Sequence, residues 1–135
     1  MMIRSILAST LLVATAAAVA SPAAAQQQEV KIGAILPMTG GAASYGEWMR
    51  NGMAIATDEV NKTWGQSRKL TLIIEDSKSN PKDAVAAMNK LISADKVAAV
   101  MTTLTGITNA LAPIADQNKI VLTTSATLPG ITEQS

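Results

Sequence analysis

Residues 29–61 read EVKIGAILPMTGGAASYGEWMRNGMAIATDEVN. A short apolar run from Val30 to Leu36 is closed by Pro37, and a loop of small residues from Thr39 to Ala43 leads into a segment of helical period. Strand, loop and helix in that order make the first half of a βαβ unit. The helix is predicted to start at Ser44-Tyr45-Gly46-Glu47, an S-x-x-E capping box in which hydroxyl and carboxylate each satisfy an amide at the helix start. It runs to about Asn61, and Met49, Met53, Ala56 and Val60 fall on one face that covers the sheet.

Working outward, the same alternation repeats. Leu70 to Ile74 is a second strand ending in Glu75-Asp76, and Asn80-Pro81 supplies an N-cap with proline in the first helical position. Ala84, Val85, Met88, Leu91 and Ile92 form the buried stripe of the second helix. Val97 to Met101 is a third strand, and Thr102 to Gly106 lead into a third helix bearing Ile107, Ala110, Leu111 and Ile114, with a bend expected at Pro113. Ile120 to Leu122 is a fourth strand, and another helix is expected to begin near Pro129. The fold class is therefore α/β, three-layer, with a parallel sheet of flavodoxin-like order. Residues 26–135 read as one domain that lacks its closing elements, so its fourth strand is expected to keep an unpaired edge.

Composition narrows the function. The chain has 135 residues with no Cys and no His, which rules out disulfide frameworks and Cys/His metal sites. Lys and Arg number 11 against 10 for Asp and Glu, so no basic field exists to hold nucleic acid. Residues 1–25 carry Arg4, an apolar run from Ile6 to Ala20 and the small residues Ser21-Pro22-Ala23-Ala24-Ala25, which together read as a secretory signal peptide. The apolar run is too short to span a bilayer, and the cleaved chain is not expected to be membrane-spanning.

Ligands of open parallel sheets bind beyond the carboxyl ends of the strands. The loops there read PMTGGAASYG, EDSKSN, TTLTG and TTSATLPG, rich in hydroxyls and free amides. Such groups at helix starts suit a bound carboxylate. No general base stands beside them, so no catalytic residue, cofactor or metal is expected. Glu75 and Asp76 read as solvated strand-end acids pointing to opposite faces, and Trp48, Trp64 and the methionines Met49, Met53 and Met88 read as packing residues. Thr105 is also a natural N-cap for the third helix.

Three runs carry a resemblance: KIGAILPMTGGAASYGEWMRNGMAIATDEVN, LTLIIEDSKSNP and VAAVMTTLTGITNALAPIADQNKIVLTTSATLPGIT. Together they resemble the amino-terminal lobe of type I periplasmic binding proteins of branched-chain amino acid ABC transporters, the Leu/Ile/Val-binding proteins. The resemblance implies a partial lobe of a longer, bilobal protein that captures a small amino acid in the periplasm and delivers it to an ABC permease of the inner membrane. It also implies site residues. Thr105 falls where the family has a serine whose hydroxyl binds the ligand carboxylate. Ser125, Ala126 and Thr127 fall on the stretch that holds the polar head, with the Ser125 carbonyl accepting from the ammonium. Tyr45 aligns with an aromatic that packs on the ligand. Thr105 with Gly106 replaces a serine pair, which keeps a hydroxyl and adds a methyl. Two rival readings are a ligand-binding lobe of an exported sensor or regulator of the same fold, and an exported hydrolase, which would need a base these loops do not offer.

The export signal generates a direct expectation. Amino-terminal sequencing of periplasmic material is expected to start at Gln26, because Ala23 and Ala25 suit the small-residue preference of signal peptidase. Soluble exported protein that retains Met1 contradicts it.

Overall fold

The computed structural model describes residues 27–127. In chain order these form β1 (Gln28–Leu36), α1 (Ala43–Trp64), β2 (Arg68–Asp76), α2 (Pro81–Lys90) with a π-helical turn at Leu91–Asp95, β3 (Ala99–Thr102), α3 (Thr105–Asn118) and β4 (Val121–Thr124). The expected signal peptide and the helix near Pro129 lie outside the described residues.

All strand pairs are parallel, in the order β2-β1-β3-β4. β1 pairs with β2 along its whole length, from Gln28 opposite Arg68 to Leu36 opposite Asp76. On its other side it pairs with β3, Ile32 to Ile35 opposite Ala99 to Thr102. Flanked on both edges, β1 is buried from Gly33 to Leu36, as a near-continuous apolar strand of a parallel sheet must be.

Side chains alternate between the two faces, and the faces are unequal. One carries Ile35, Val100, Ile73 and Leu122, and packs on α2 and α3 through Ala84, Met88, Leu91, Ile107 and Leu111, most of them fully buried. The other carries Ile32, Leu70, Leu72 and Met101 and meets Met53, Ala56 and Val60 of α1 across a space of about 140 Å³. The stripe predicted for α1 does face the sheet, but it stands off it. Gly46 is the one buried residue of this 22-residue helix.

Where the elements start differs from expectation in an instructive way. β1 and β2 begin about two residues before their apolar runs, because main-chain pairing needs no apolar side chain. β3 and β4 are shifted toward their carboxyl ends and include Thr102 and Thr124, whose hydroxyls bond the Ile35 carbonyl at 3.0 Å and the Thr108 hydroxyl at 2.8 Å. The capping box at Ser44 is not formed. α1 begins at Ala43 with Ala42 as an N-cap that makes no side-chain bond, and Glu47 faces Arg50 instead. The reason is packing: Gly46 lies against the Pro37 carbonyl, which sets the start of the helix before any hydroxyl can cap it. Thr105 is likewise not an N-cap, because Leu104, at φ 67°, holds that position and Thr105 is the first helical residue. Asn80 does cap α2, its side chain accepting from the Lys82 amide at 2.7 Å.

The contrast between two glycines of α1 is testable. A Cβ at Gly46 collides with the Pro37 backbone, whereas one at Gly52 meets nothing within 4 Å. Gly52→Ala is expected to stabilise by about 0.5 to 1 kcal/mol, through helix propensity alone. Gly46→Ala is expected to destabilise by roughly 1 to 3 kcal/mol despite the same gain in propensity. Urea unfolding of both variants decides it, and equal effects refute the close approach.

Candidate functional site

Parallel pairing brings the carboxyl ends of β1, β3 and β4 to one edge of the sheet, and there they frame an open cleft of about 510 Å³. Tyr45 and Met49 of α1 form one side. Thr103, Leu104 and Thr105 come from the turn into α3, and Ser125, Ala126 and Thr127 from the segment after β4. All five residues singled out in the sequence, Tyr45, Thr105, Ser125, Ala126 and Thr127, line this cleft.

Polar groups of the rim divide into those already satisfied and those left over. The Ser125 hydroxyl donates to the Thr103 hydroxyl at 2.9 Å, and the Ser125 amide donates to the Thr102 carbonyl at 3.4 Å. The Ala126 amide is taken by the Thr124 hydroxyl at 3.0 Å. In α3 the amides of Ile107 and Thr108 turn back on the Leu104 carbonyl. The amides of Thr105 and Gly106 precede them, where a helix has no partner to offer, so they remain for an anion together with the positive end of the helix dipole. Leu104 holds this turn in a left-handed conformation that L-residues adopt only at a cost of order 1 to 3 kcal/mol.

A second polar assembly stands beside the cleft. The Asp76 carboxylate accepts from the amides of Met38 at 2.9 Å, Thr39 at 3.2 Å and Lys78 at 2.7 Å, and from the Thr39 hydroxyl at 2.6 Å. Partial burial opposes its charge, but the Thr39 hydroxyl and the amides of Lys78, Thr39 and Met38 outweigh it and hold the carboxyl below its ordinary range. Glu75 points the other way, to Lys90, which also reaches Asp95 at 3.3 Å; these bonds raise the Lys90 ammonium above its usual value.

Sequence reasoning placed these acids on opposite faces correctly, but Asp76 is not a freely solvated one. Met49, read as a core filler, is half-buried against Met101 and Thr123 of the sheet and also lines the cleft. Thr103, which no sequence signal distinguishes from its threonine neighbours, both lines the cleft and supports Ser125. Trp48 is exposed and lies 5.5 Å from Tyr45 between ring centroids, while Trp64 sits under the Arg68 guanidinium at 5.9 Å. Among the described residues no group of His, Cys, Asp and Glu could hold a metal ion, and no helix is long and apolar enough to cross a membrane.

A parallel α/β sheet in the order β2-β1-β3-β4, with helices on both faces, places the chain in the class of the periplasmic binding protein type I fold, of which it forms part of the amino-terminal lobe. Residues 29–135 match the model of the periplasmic binding protein family, and the chain belongs to that family, whose members bind solutes and are not enzymes. Over 130 residues it is 35% identical to a Leu/Ile/Val-binding protein of Rhizobium johnstonii, covering 93% of this chain and 35% of that protein. Among solved structures it resembles the branched-chain amino acid transporter substrate binding protein LivJ of Streptococcus pneumoniae in complex with isoleucine, with a TM-score of 0.74, 30% identity and coverage of 78% and 31%. A solute binding protein of an ABC transporter from Rhodopseudomonas palustris in complex with 3,4-dihydroxy benzoic acid gives a TM-score of 0.72 at 31% identity, covering 79% and 30%. The chain thus spans about a third of the length of these relatives.

The Asp76 assembly has a pH signature. Its carboxyl lies below the ordinary 3.8 in the folded chain, so its contribution is complete above that value and is lost as pH falls through the folded value. The urea midpoint of the parent is expected to drop below pH 4 more steeply than that of Asp76→Asn, and the gap between them, widest at pH 7, is expected to narrow at pH 3. Parallel curves refute the assignment.

Proposed function

We propose that this chain supplies one side of a periplasmic binding site for a branched-chain or similar amino acid, on behalf of an ABC importer. The observation that carries the reading is the convergence of Tyr45, Thr105, Ser125, Ala126 and Thr127 on a single cleft. In this reading the ligand carboxylate sits at the start of α3, on the Thr105 hydroxyl and the neighbouring amides. The ammonium meets the Ser125 carbonyl, in a segment that the bond between the Ser125 and Thr103 hydroxyls holds in place. Thr127 serves both groups, and Tyr45 packs on the solute. Residues 1–25 act as a cleaved signal peptide, residues 26–135 as part of the amino-terminal lobe, and a second lobe closes on the solute before an inner-membrane permease receives it.

A second reading is an aromatic carboxylate. It is favoured by the Rhodopseudomonas palustris relatives solved with 3,4-dihydroxy benzoic acid and 4-hydroxybenzoate. Both ligand classes share the carboxylate, so they part at the ammonium subsite.

Calorimetric titration of leucine, isoleucine, valine, 4-methylpentanoate and 4-hydroxybenzoate distinguishes them. The titrations use this chain and a chimaera that continues it with the remainder of the Rhizobium johnstonii relative. Amino acids are expected to bind the chimaera and to bind this chain weakly, because one side offers only a few charge-assisted bonds against the cost of ordering the solute. The des-amino acid is expected to fail. Thr105→Val and Thr127→Val in the chimaera are each expected to cost about 1.5 to 3 kcal/mol, roughly tenfold to a hundredfold in Kd, and equally for every amino acid. Undiminished binding in both variants refutes the residue assignment, and binding of the benzoate alone moves the protein to the second reading.

A further inference from the structure

The Tyr45 side of the cleft has little to hold it within the cleft itself. Gly46 is the one buried residue of α1, and Ala42 makes no side-chain cap. Tyr45 and Trp48 are 56% and 66% exposed and lean on each other. What locates this turn lies outside the cleft, in the loop that follows β2.

Three contacts stitch the β1–α1 loop to that second loop. Asp76 gathers the amides of Met38 and Thr39 and the Thr39 hydroxyl. The Ser79 hydroxyl donates to the Thr39 carbonyl at 3.0 Å and accepts from the Ala42 amide at 3.1 Å, directly at the start of α1. Gly40, at φ 86°, lies so close to the Lys78 carbonyl that a side chain would not fit. Asp76 is the last residue of a strand paired along its full length with β1, so its carboxylate is a fixed point in the frame of the sheet. Charge-assisted bonds of this kind are about twice as strong as neutral ones. A carboxylate taking three donors from two successive residues restrains both position and direction of the loop.

We propose that Asp76 is a positioning residue of the solute cleft: it suspends the β1–α1 loop from the end of β2 and so sets where Tyr45 and Met49 stand, without itself touching the solute. The proposal rests on the reading of the cleft as a solute site, and extends it to a residue that does not line the cleft. A general loss of stability would loosen every element alike, whereas positioning acts on one segment and through one side chain.

Two measurements test it. The first needs no solute: amide hydrogen exchange of this chain, followed by mass spectrometry, in the parent, Asp76→Asn, Asp76→Ala and Thr39→Val. Exchange across residues 38–48 is expected to rise, on the order of tenfold for Asp76→Ala and less for the others, while residues 105–118 of α3 rise by no more than the variant's loss of global stability, read from urea unfolding, accounts for. Thr39 is exposed, so Thr39→Val carries this arm if Asp76→Ala does not fold. Unchanged exchange in 38–48, or an equal rise in α3, overturns the proposal.

The second is a double-mutant cycle read by leucine titration in the chimaera. Asp76→Asn is expected to weaken binding roughly threefold to tenfold in the parent and less than twofold when Tyr45 is already Ala. An undiminished effect in the Tyr45→Ala background overturns the proposal. If the parent binds neither the amino acids nor the benzoate, the solute reading falls, and the exchange arm alone then upholds or overturns the anchoring of Tyr45 by Asp76.

Discussion

The position of β1 between β2 and β3, in parallel register, is the constraint on which the remaining architecture depends. Parallel strands all end on the same edge, so the loops that follow them are forced together whatever their sequence separation. Residues 45, 105 and 125 meet for that reason, although they are distant along the chain. Main-chain hydrogen bonds impose the arrangement, and burial of Ile35 and Val100 with the α2 and α3 side chains makes register slips costly, because a shift by one residue turns the core face outward.

At the edge so formed, threonine and serine hydroxyls decide which backbone groups remain for a solute. Thr102 holds the Ile35 carbonyl, Thr108 and Thr124 tie α3 to β4, Thr124 takes the Ala126 amide and Thr103 takes the Ser125 hydroxyl. Each bond contributes only about 0.5 to 1.5 kcal/mol of stability. Their collective effect is specificity of geometry: the hydroxyls of Thr102, Thr103, Thr108, Thr124 and Ser125 and the Ala126 amide are engaged within the chain, and the first turn of α3 is left facing the cleft. A site built this way needs no charged side chain to favour a carboxylate, since the helix start and a hydroxyl supply donors whose desolvation is already arranged.

The two faces of the sheet have different mechanical characters. Beneath α2 and α3 the packing is dense, and Met88, Leu91 and Leu111 are fully buried. Beneath α1 a space of about 140 Å³ separates the helix from Ile32 and Leu72, and Ile55 of the helix and Val121 of β4 are exposed. A helix with so little buried surface is located by its ends. At its start Gly46 rests on Pro37, and the loop before it hangs from Asp76 and Ser79; near its end Asn61 pairs with both the amide and the carbonyl of Leu70, at 2.7 and 2.9 Å.

Much of this was legible from local pattern. The alternation of apolar runs with helical periods identifies strands and helices, because each element's burial is written into residues three or four apart, or two apart, along the same segment. The Asn80 cap could be read for the same reason, its partner being two residues away. Polarity of the loops, and with it the region where a solute would sit, follows from the position of each loop after its strand. The start of α1, the role of Asp76 and the place of Met49 could not be read in this way. Each is decided by partners distant in sequence: Gly46 approaches the Pro37 backbone, Asp76 takes donors 37 and 38 residues away, and Met49 shares the cleft with residues from Thr103 to Thr127. Ser44 and Glu47 had every local qualification for a capping box, yet a contact that exists only once β1 and α1 are packed set the helix to begin two residues earlier. Sequence determined which segments are regular and which carry free polar groups, since those are properties of neighbours; tertiary structure decided which polar groups are spent and which remain, since that is settled only where the loops meet.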